Sequence, residues 1–197
     1  TKVDLAESLQ YISHMDSKNQ MMEGGVTLEY SGSLVEQGRM EAYDVAAYIM
    51  AFSDFIGVAS RKRCGEKAEL RTEIRGFRGE SFDIDFALHI GMVGYTLFTG
   101  SRFTLKDFMD LIRECLGAWR HLGGNPPREV KSLPNSNKIE LTNQNGYIQY
   151  VSGDVINIIS DSTAGKAVER FIKNALEKDG LNRVGIVSQK PREDLMI

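Results

Sequence analysis

The chain has 197 residues, of which 42% are apolar and 26% charged, and a formal net charge of -3. That length supports one domain with a real core or two small ones, and the composition is that of an ordinary soluble globular protein. The slight negative charge excludes an overall attraction to nucleic acid or to an anionic membrane and leaves only a local patch for either.

Leu5, Leu9 and Ile12 are spaced for one face of a short helix ending near Met15. Gly24-Gly25 punctuates, and Val26, Leu28 and Tyr30 alternate as a short strand. Val45, Ile49, Phe52, Ile56 and Ala59 then recur at spacings of four, three, four and three, a helical stripe that Tyr48 and Phe55 widen. Arg61, Lys62 and Arg63 load its last turn, where the partial negative charge of a helix end favours cations. Gly65 is placed to close the helix.

From Ala68 to Leu88 the chain alternates strictly around a glycine-containing turn. Ala68, Leu70, Thr72 and Ile74 line one face of the first arm, and Phe82, Ile84, Phe86 and Leu88 line one face of the second. Strand side chains alternate between faces, so the pattern specifies a hairpin with one apolar and one charged side. The longest apolar stretch, Phe86 to Gly100, follows directly; it is too short to span a bilayer and is cut by Gly91 and Gly94.

A second helix starts at Thr104, with Leu105, Phe108, Ile112, Cys115, Trp119 and Leu122 on one broad face. Gly123-Gly124-Asn125-Pro126-Pro127 ends it, and a polar connector runs from Pro127 to Asn137. Ile139 and Leu141 then form a strand, Asn143 to Gly146 a turn, Tyr147 to Val151 its partner and Val155 to Ile159 a further strand. Ala164, Val168, Phe171 and Ala175 mark a third helix, and Val184 to Val187 a closing strand. Hairpins dominate over long crossovers. The expected class is therefore α+β, mostly antiparallel sheet built from hairpins with amphipathic helices packed on one face. Residues 1–125 are expected to form an N-terminal α+β subdomain and residues 126–197 a C-terminal βββαβ subdomain, or the two a continuous domain.

Cys64 and Cys115 carry no metal-ligand spacing and read as thiols in a reducing cytoplasm. His14, His89 and His121 are scattered, and no cofactor is expected. No basic-then-apolar leader opens the chain, so neither secretion nor membrane attachment is expected. The chain opens on Thr1 and runs to Ile197 without a clear stop, the pattern of a trimmed or partly ordered chain.

Asp83 and Asp85 share one strand face, close enough to hold one divalent cation. Gly79, Ser81 and this Asp-x-Asp resemble the acidic element of nucleotidyltransferases, which implies a metal-dependent nucleotide enzyme. In that family a helix separates the two pieces that abut here. The plainer reading is a solvated strand face on which the aspartates pair with Arg71 or Arg75. Arg71, Arg75 and Arg78 also form a basic strand edge, and Arg75 to Phe82 resembles the RNA-recognition-motif signature, which implies nucleic-acid binding. Gly165-Lys166 lacks the other residues of a phosphate loop, and no Gly-x-Ser-x-Gly elbow occurs.

Gly38-Arg39-Met40, the Gly79-to-Asp85 strand and the Gly153-to-Lys166 segment, taken in order, resemble a group of uncharacterised bacterial proteins found in prophages and other mobile elements. The resemblance implies a bacterial cytoplasmic setting and a role in phage defence or in a phage-encoded system; it transfers no catalytic residue. The leading expectation is a non-enzymatic module that binds protein, itself included as a homo-oligomer, through Met92, Val93, Tyr95, Leu97, Phe98 and Trp119. Nucleic-acid binding and metal-dependent nucleotide chemistry are the alternatives.

Overall fold

The computed structural model describes residues 19–36, 38–78, 82–93 and 103–188. In chain order they form β1 (Asn19–Ser31), α1 (Ala42–Cys64), β2 (Glu69–Arg78), β3 (Phe82–Val93), α2 (Leu105–Leu122), β4 (Glu129–Ser132), β5 (Lys138–Thr142), β6 (Ile148–Ser152), α3 (Gly153–Ile159), α4 (Ser162–Val168) and β7 (Arg183–Ser188). Helix α4 runs on through a π-helical turn, Glu169–Lys173, into a last α-helical turn, Asn174–Leu176. The helix expected over Leu5 to Met15 and the turn at Gly79 to Ser81 lie outside the described residues.

The class is α+β. A four-stranded antiparallel sheet has the order β2-β3-β1-β7, and a three-stranded antiparallel sheet the order β4-β5-β6. Alternation sets the first sheet's register: Tyr30 meets Phe82, Leu28 meets Ile84 and Val26 meets Phe86. All six are buried on the face that the helices cover, and each such side chain contributes roughly 1.5–3 kcal/mol of burial. The outer edge strand departs from its expected face. A bulge between Ile74 and Gly76 shifts the β2–β3 register, and Ile74 is 45% exposed. Bulges of this kind twist an edge strand away from regular pairing.

Strand β1 is longer than its apolar alternation, because Gly24 and Gly25 lie inside it rather than before it. Packing gives the reason for Gly24. A Cβ there would come within 1.9 Å of Leu105 Cδ2, so the missing side chain lets the start of α2 lie on the strand. Helix α2 begins with a reciprocal cap. The Thr104 hydroxyl accepts from the Asp107 N–H at 3.2 Å, and the Asp107 carboxylate accepts from the Thr104 N–H at 2.8 Å. The hydroxyl also donates to that carboxylate, and these bonds hold Asp107 below the usual carboxylate range.

Helix α1 crosses the sheet on its stripe. Tyr48 stacks on Tyr30 at 5.1 Å, Phe52 meets Phe86 at 4.9 Å, and Gly65 closes the helix at φ 99°. Its length and composition would also allow it to cross a membrane, but nearly half of its apolar window is buried in the fold. Two residues of its basic last turn make ion pairs with the next helices. Lys62 pairs with Asp161 at 3.6 Å and Arg63 with Asp154 at 3.3 Å, which fastens α1 to the starts of α4 and α3.

Two C-terminal elements differ from the sequence pattern. Val155 to Ile159, expected as a strand, is helix α3, with Val155 and Ile158 buried three residues apart. A short β-branched run fits either state, and tertiary burial decides between them. The polar connector holds a strand, β4, whose four residues are all exposed. It forms by pairing with β5 and carries no periodic apolar signal.

The segment after residue 126 shares the first segment's core. β7 pairs with β1, α4 packs on α1, and one buried cluster includes residues from Met22 to Leu181. Both cysteines lie in it. Burial pushes the Cys64 thiol up to about 11 and the Cys115 thiol up to about 12. Thiolate is the reactive form, so neither cysteine is expected to react with an alkylating reagent near neutral pH in the folded protein, and both are expected to react in denaturant. Equal labelling rates in the two states, followed by mass spectrometry, would contradict this arrangement.

Candidate functional site

Two grooves lie on either side of Trp119, the chain's single tryptophan. Helix α2 presents it, half-buried, beside the fully buried Ala118. Gly123 and Gly124, both at positive φ (60° and 74°), turn the chain sharply after the helix. A Cβ on Gly124 would sit 3.7 Å from the indole, so this turn closes over the ring. Only glycine takes two successive left-handed positions without strain.

On one side Trp119, Leu122, Val130, Ile156 and Ile159 line a groove of about 540 Å³, with the Glu169–Lys173 ion pair (3.1 Å) at its margin. On the other side lies a groove of about 480 Å³ between α2, the end of the π-turn segment and β7. Its apolar wall is Leu116, Trp119, Ile172, Leu176, Val184 and Ile186, and Leu176 is 41% exposed. Three arginines, Arg113, Arg120 and Arg183, stand around it, and among the described residues no acidic residue lines it. Arg113 is held by Asp110 at 2.7 Å, while Arg120 and Arg183 are exposed. Both volumes fall in the range of ligand-sized pockets. The second combines an apolar floor with a cationic rim in a chain whose net charge is negative.

Of the residues expected to form an interface, Trp119 is the one whose side chain is described. Met92 and Val93 end β3, opposite Gln20 and Asn19 of β1. Tyr95, Leu97 and Phe98 lie outside the described residues. The start of the same apolar stretch, Phe86 to Ile90, is core strand: Phe86, Leu88 and Ile90 are buried under the helices.

Asp83 and Asp85 do share a face, on the interior strand β3, turned away from the helices. Asp85 accepts a hydrogen bond from the Thr27 hydroxyl at 2.7 Å. The bulge places Gly76 opposite Asp85 and Arg78 opposite Asp83; Arg71 lies farther along, opposite His89, with its guanidinium on Glu73 at 2.5 Å. Glu69 and Glu73 alternate along β2 with Arg71 and Arg75, which breaks up the positive edge. His89 lies 3.8 Å from Glu73, whereas His121 bonds the Leu141 carbonyl at 3.1 Å on the second sheet. Among the described residues, no group of three or more His, Cys, Asp or Glu side chains is arranged to hold a metal ion.

Comparison of the chain with protein-family models, with curated proteins and with solved structures finds no match. The arginine-rimmed groove has no contiguous sequence signature. Leu116 and Trp119 belong to the broad α2 face and Val184 and Ile186 to the β7 alternation, but only the fold brings them together with Ile172 and Leu176.

Proposed function

We propose that the chain is a non-enzymatic protein-binding module. Its working surface is the arginine-rimmed groove beside Trp119, and its partner is a protein segment that presents apolar side chains flanked by carboxylates. The single observation behind this reading is the juxtaposition of an apolar wall (Leu116, Trp119, Ile172, Leu176, Val184 and Ile186) with three arginines and, among the described residues, no lining acid. Aromatic anchors in such concavities carry much of an interface's energy. Complementary charge around them steers encounter and rejects wrong partners. The resemblance to prophage-borne proteins supports a bacterial cytoplasmic setting, as a component of a phage-defence or phage-encoded system.

The lone tryptophan makes the test direct. A helical peptide of leucines and glutamates is expected to shift the Trp119 emission on titration, and its leucine–lysine counterpart is not. The binding is expected to weaken with salt and to fall about tenfold in Arg120→Glu. Equal responses to the two peptides, or no response to either, would remove the proposal.

A further inference from the structure

We propose that two copies of this chain associate through the free edge of β6, paired antiparallel about a twofold axis at Gln149. The proposal concerns a different surface from the groove beside Trp119 and does not rest on it.

Backbone geometry defines the available edge. The Tyr147 carbonyl accepts from Asn143 N–H at 2.9 Å, so Tyr147 faces β5, and by strand alternation Gln149 and Val151 do as well. Ser152 N–H points the other way, to the Glu114 carboxylate at 2.9 Å. Ile148 and Tyr150 share that outward parity, and among the described residues the second sheet ends at β6. Their N–H and C=O groups therefore form the open edge, bounded at one end by the Glu114 cap.

Self-pairing fits this short edge. With the axis at Gln149, Ile148 forms a hydrogen-bonded pair with the partner's Tyr150, and Tyr150 with the partner's Ile148. These are the two residues whose backbone groups are open, and the two pairs together supply about four backbone hydrogen bonds. The same register sets each isoleucine across from a tyrosine on one face, a favourable cross-strand combination. Ile148 is 52% and Tyr150 53% exposed in the single chain, with Tyr147 beside them at 69%.

Charge explains why the occupant is a second copy. An isologous contact brings each charge near its own copy, and this strand has none to bring: residues 141–153, from Leu141 to Gly153, form an uninterrupted uncharged run. Sheet edges are usually guarded by charge, proline or a bulge. The opposite edge of the same sheet is guarded in this way, since β4 carries Glu129 and Lys131 and follows Pro126-Pro127. The first sheet's β2 edge has its charges and its bulge. Among the described residues, edge β6 has no such guard.

Sedimentation of the full chain over a wide concentration range is expected to show a reversible monomer–dimer equilibrium. Tyr150→Lys and, separately, Ile148→Lys place like charges near the axis on exposed positions. Each is expected to weaken dimerisation about tenfold or more while circular dichroism stays unchanged. Val130→Lys, on the guarded strand, and Arg120→Glu, in the groove, are expected to leave the dimer intact. A chain that remains monomeric at the highest concentrations, or a dimer indifferent to both β6 lysines, would overturn the proposal.

Discussion

Replacing Gly32 with alanine is expected to destabilise the fold by roughly 2–5 kcal/mol, summing backbone strain and overpacking. The cause is a crossing of two backbones. The chain leaving β1 passes the chain entering β7, and two hydrogen bonds stitch them: Leu34 N–H to the Gly180 carbonyl and Asn182 N–H to the Ser31 carbonyl, both at 3.0 Å. Gly32 lies at φ 138°, and an added Cβ would stand 2.1 Å from the Gly180 carbonyl oxygen. Backbone cannot swing aside as a side-chain tip does, so the crossing must open. β7 then loses its anchor beside β1, and the groove loses the wall made by Val184 and Ile186. Gly165 provides the contrast. It lies within α4 and a Cβ there meets nothing within 4 Å, so Gly165→Ala is expected to be neutral or stabilising by a few tenths to about 1 kcal/mol. Urea unfolding reads both variants. A loss below about 1 kcal/mol in Gly32→Ala, at an unchanged denaturant slope, would show that the crossing is not tight.

Phe171→Ala is expected to cost about 3–5 kcal/mol, the usual range for removing a buried phenylalanine. The ring is fully buried. It meets Phe52 edge-on at 5.6 Å and Phe55 at 5.9 Å. Its own carbonyl accepts the Tyr30 hydroxyl at 3.1 Å, a buried bond that ties the π turn to β1. Burial pushes the Tyr30 hydroxyl far above the usual tyrosine range, which keeps it a neutral donor. Phe171 thus joins α4, α1 and the sheet, and its loss leaves a cavity bounded by three elements. Thermal or urea unfolding of Phe171→Ala and Phe171→Leu checks this reading. Leucine refills much of the volume and is expected to recover part of the stability. Equal losses in the two variants would mean that ring contacts rather than volume dominate, and a loss under about 1 kcal/mol in both would deny the residue its bridging place.

Local pattern decided the elements it could reach. Phe82, Ile84, Phe86 and Leu88 alternate over enough residues that one register alone buries them, and β3 follows. The α2 stripe from Leu105 to Leu122 repeats for five turns between a Thr104 cap and a Gly123 stop, which leaves no competing state. The short Val155–Ile159 run had no such redundancy, so its pattern fitted a strand equally well. β4 had no apolar pattern at all, because an exposed edge strand is held by its neighbour's backbone rather than by burial.

The candidate surfaces divide along the same line. Trp119 was visible as a large apolar residue on an amphipathic helix, and residues 141–153 as a run without charge. Their meaning was not visible. The arginine-rimmed groove draws Leu116 and Arg120 from α2, Ile172 and Leu176 from the helical turns that follow α4, and Arg183 to Ile186 from β7. The β6 edge is open only because the sheet ends there. The sequence by itself determined the class, the buried face of β3 and the two ends of α2, since those depend on interactions within a few residues. The tertiary structure alone decided which distant side chains share a groove and which strand edge faces water, because both are set by contacts far apart in the chain, where periodicity carries no information.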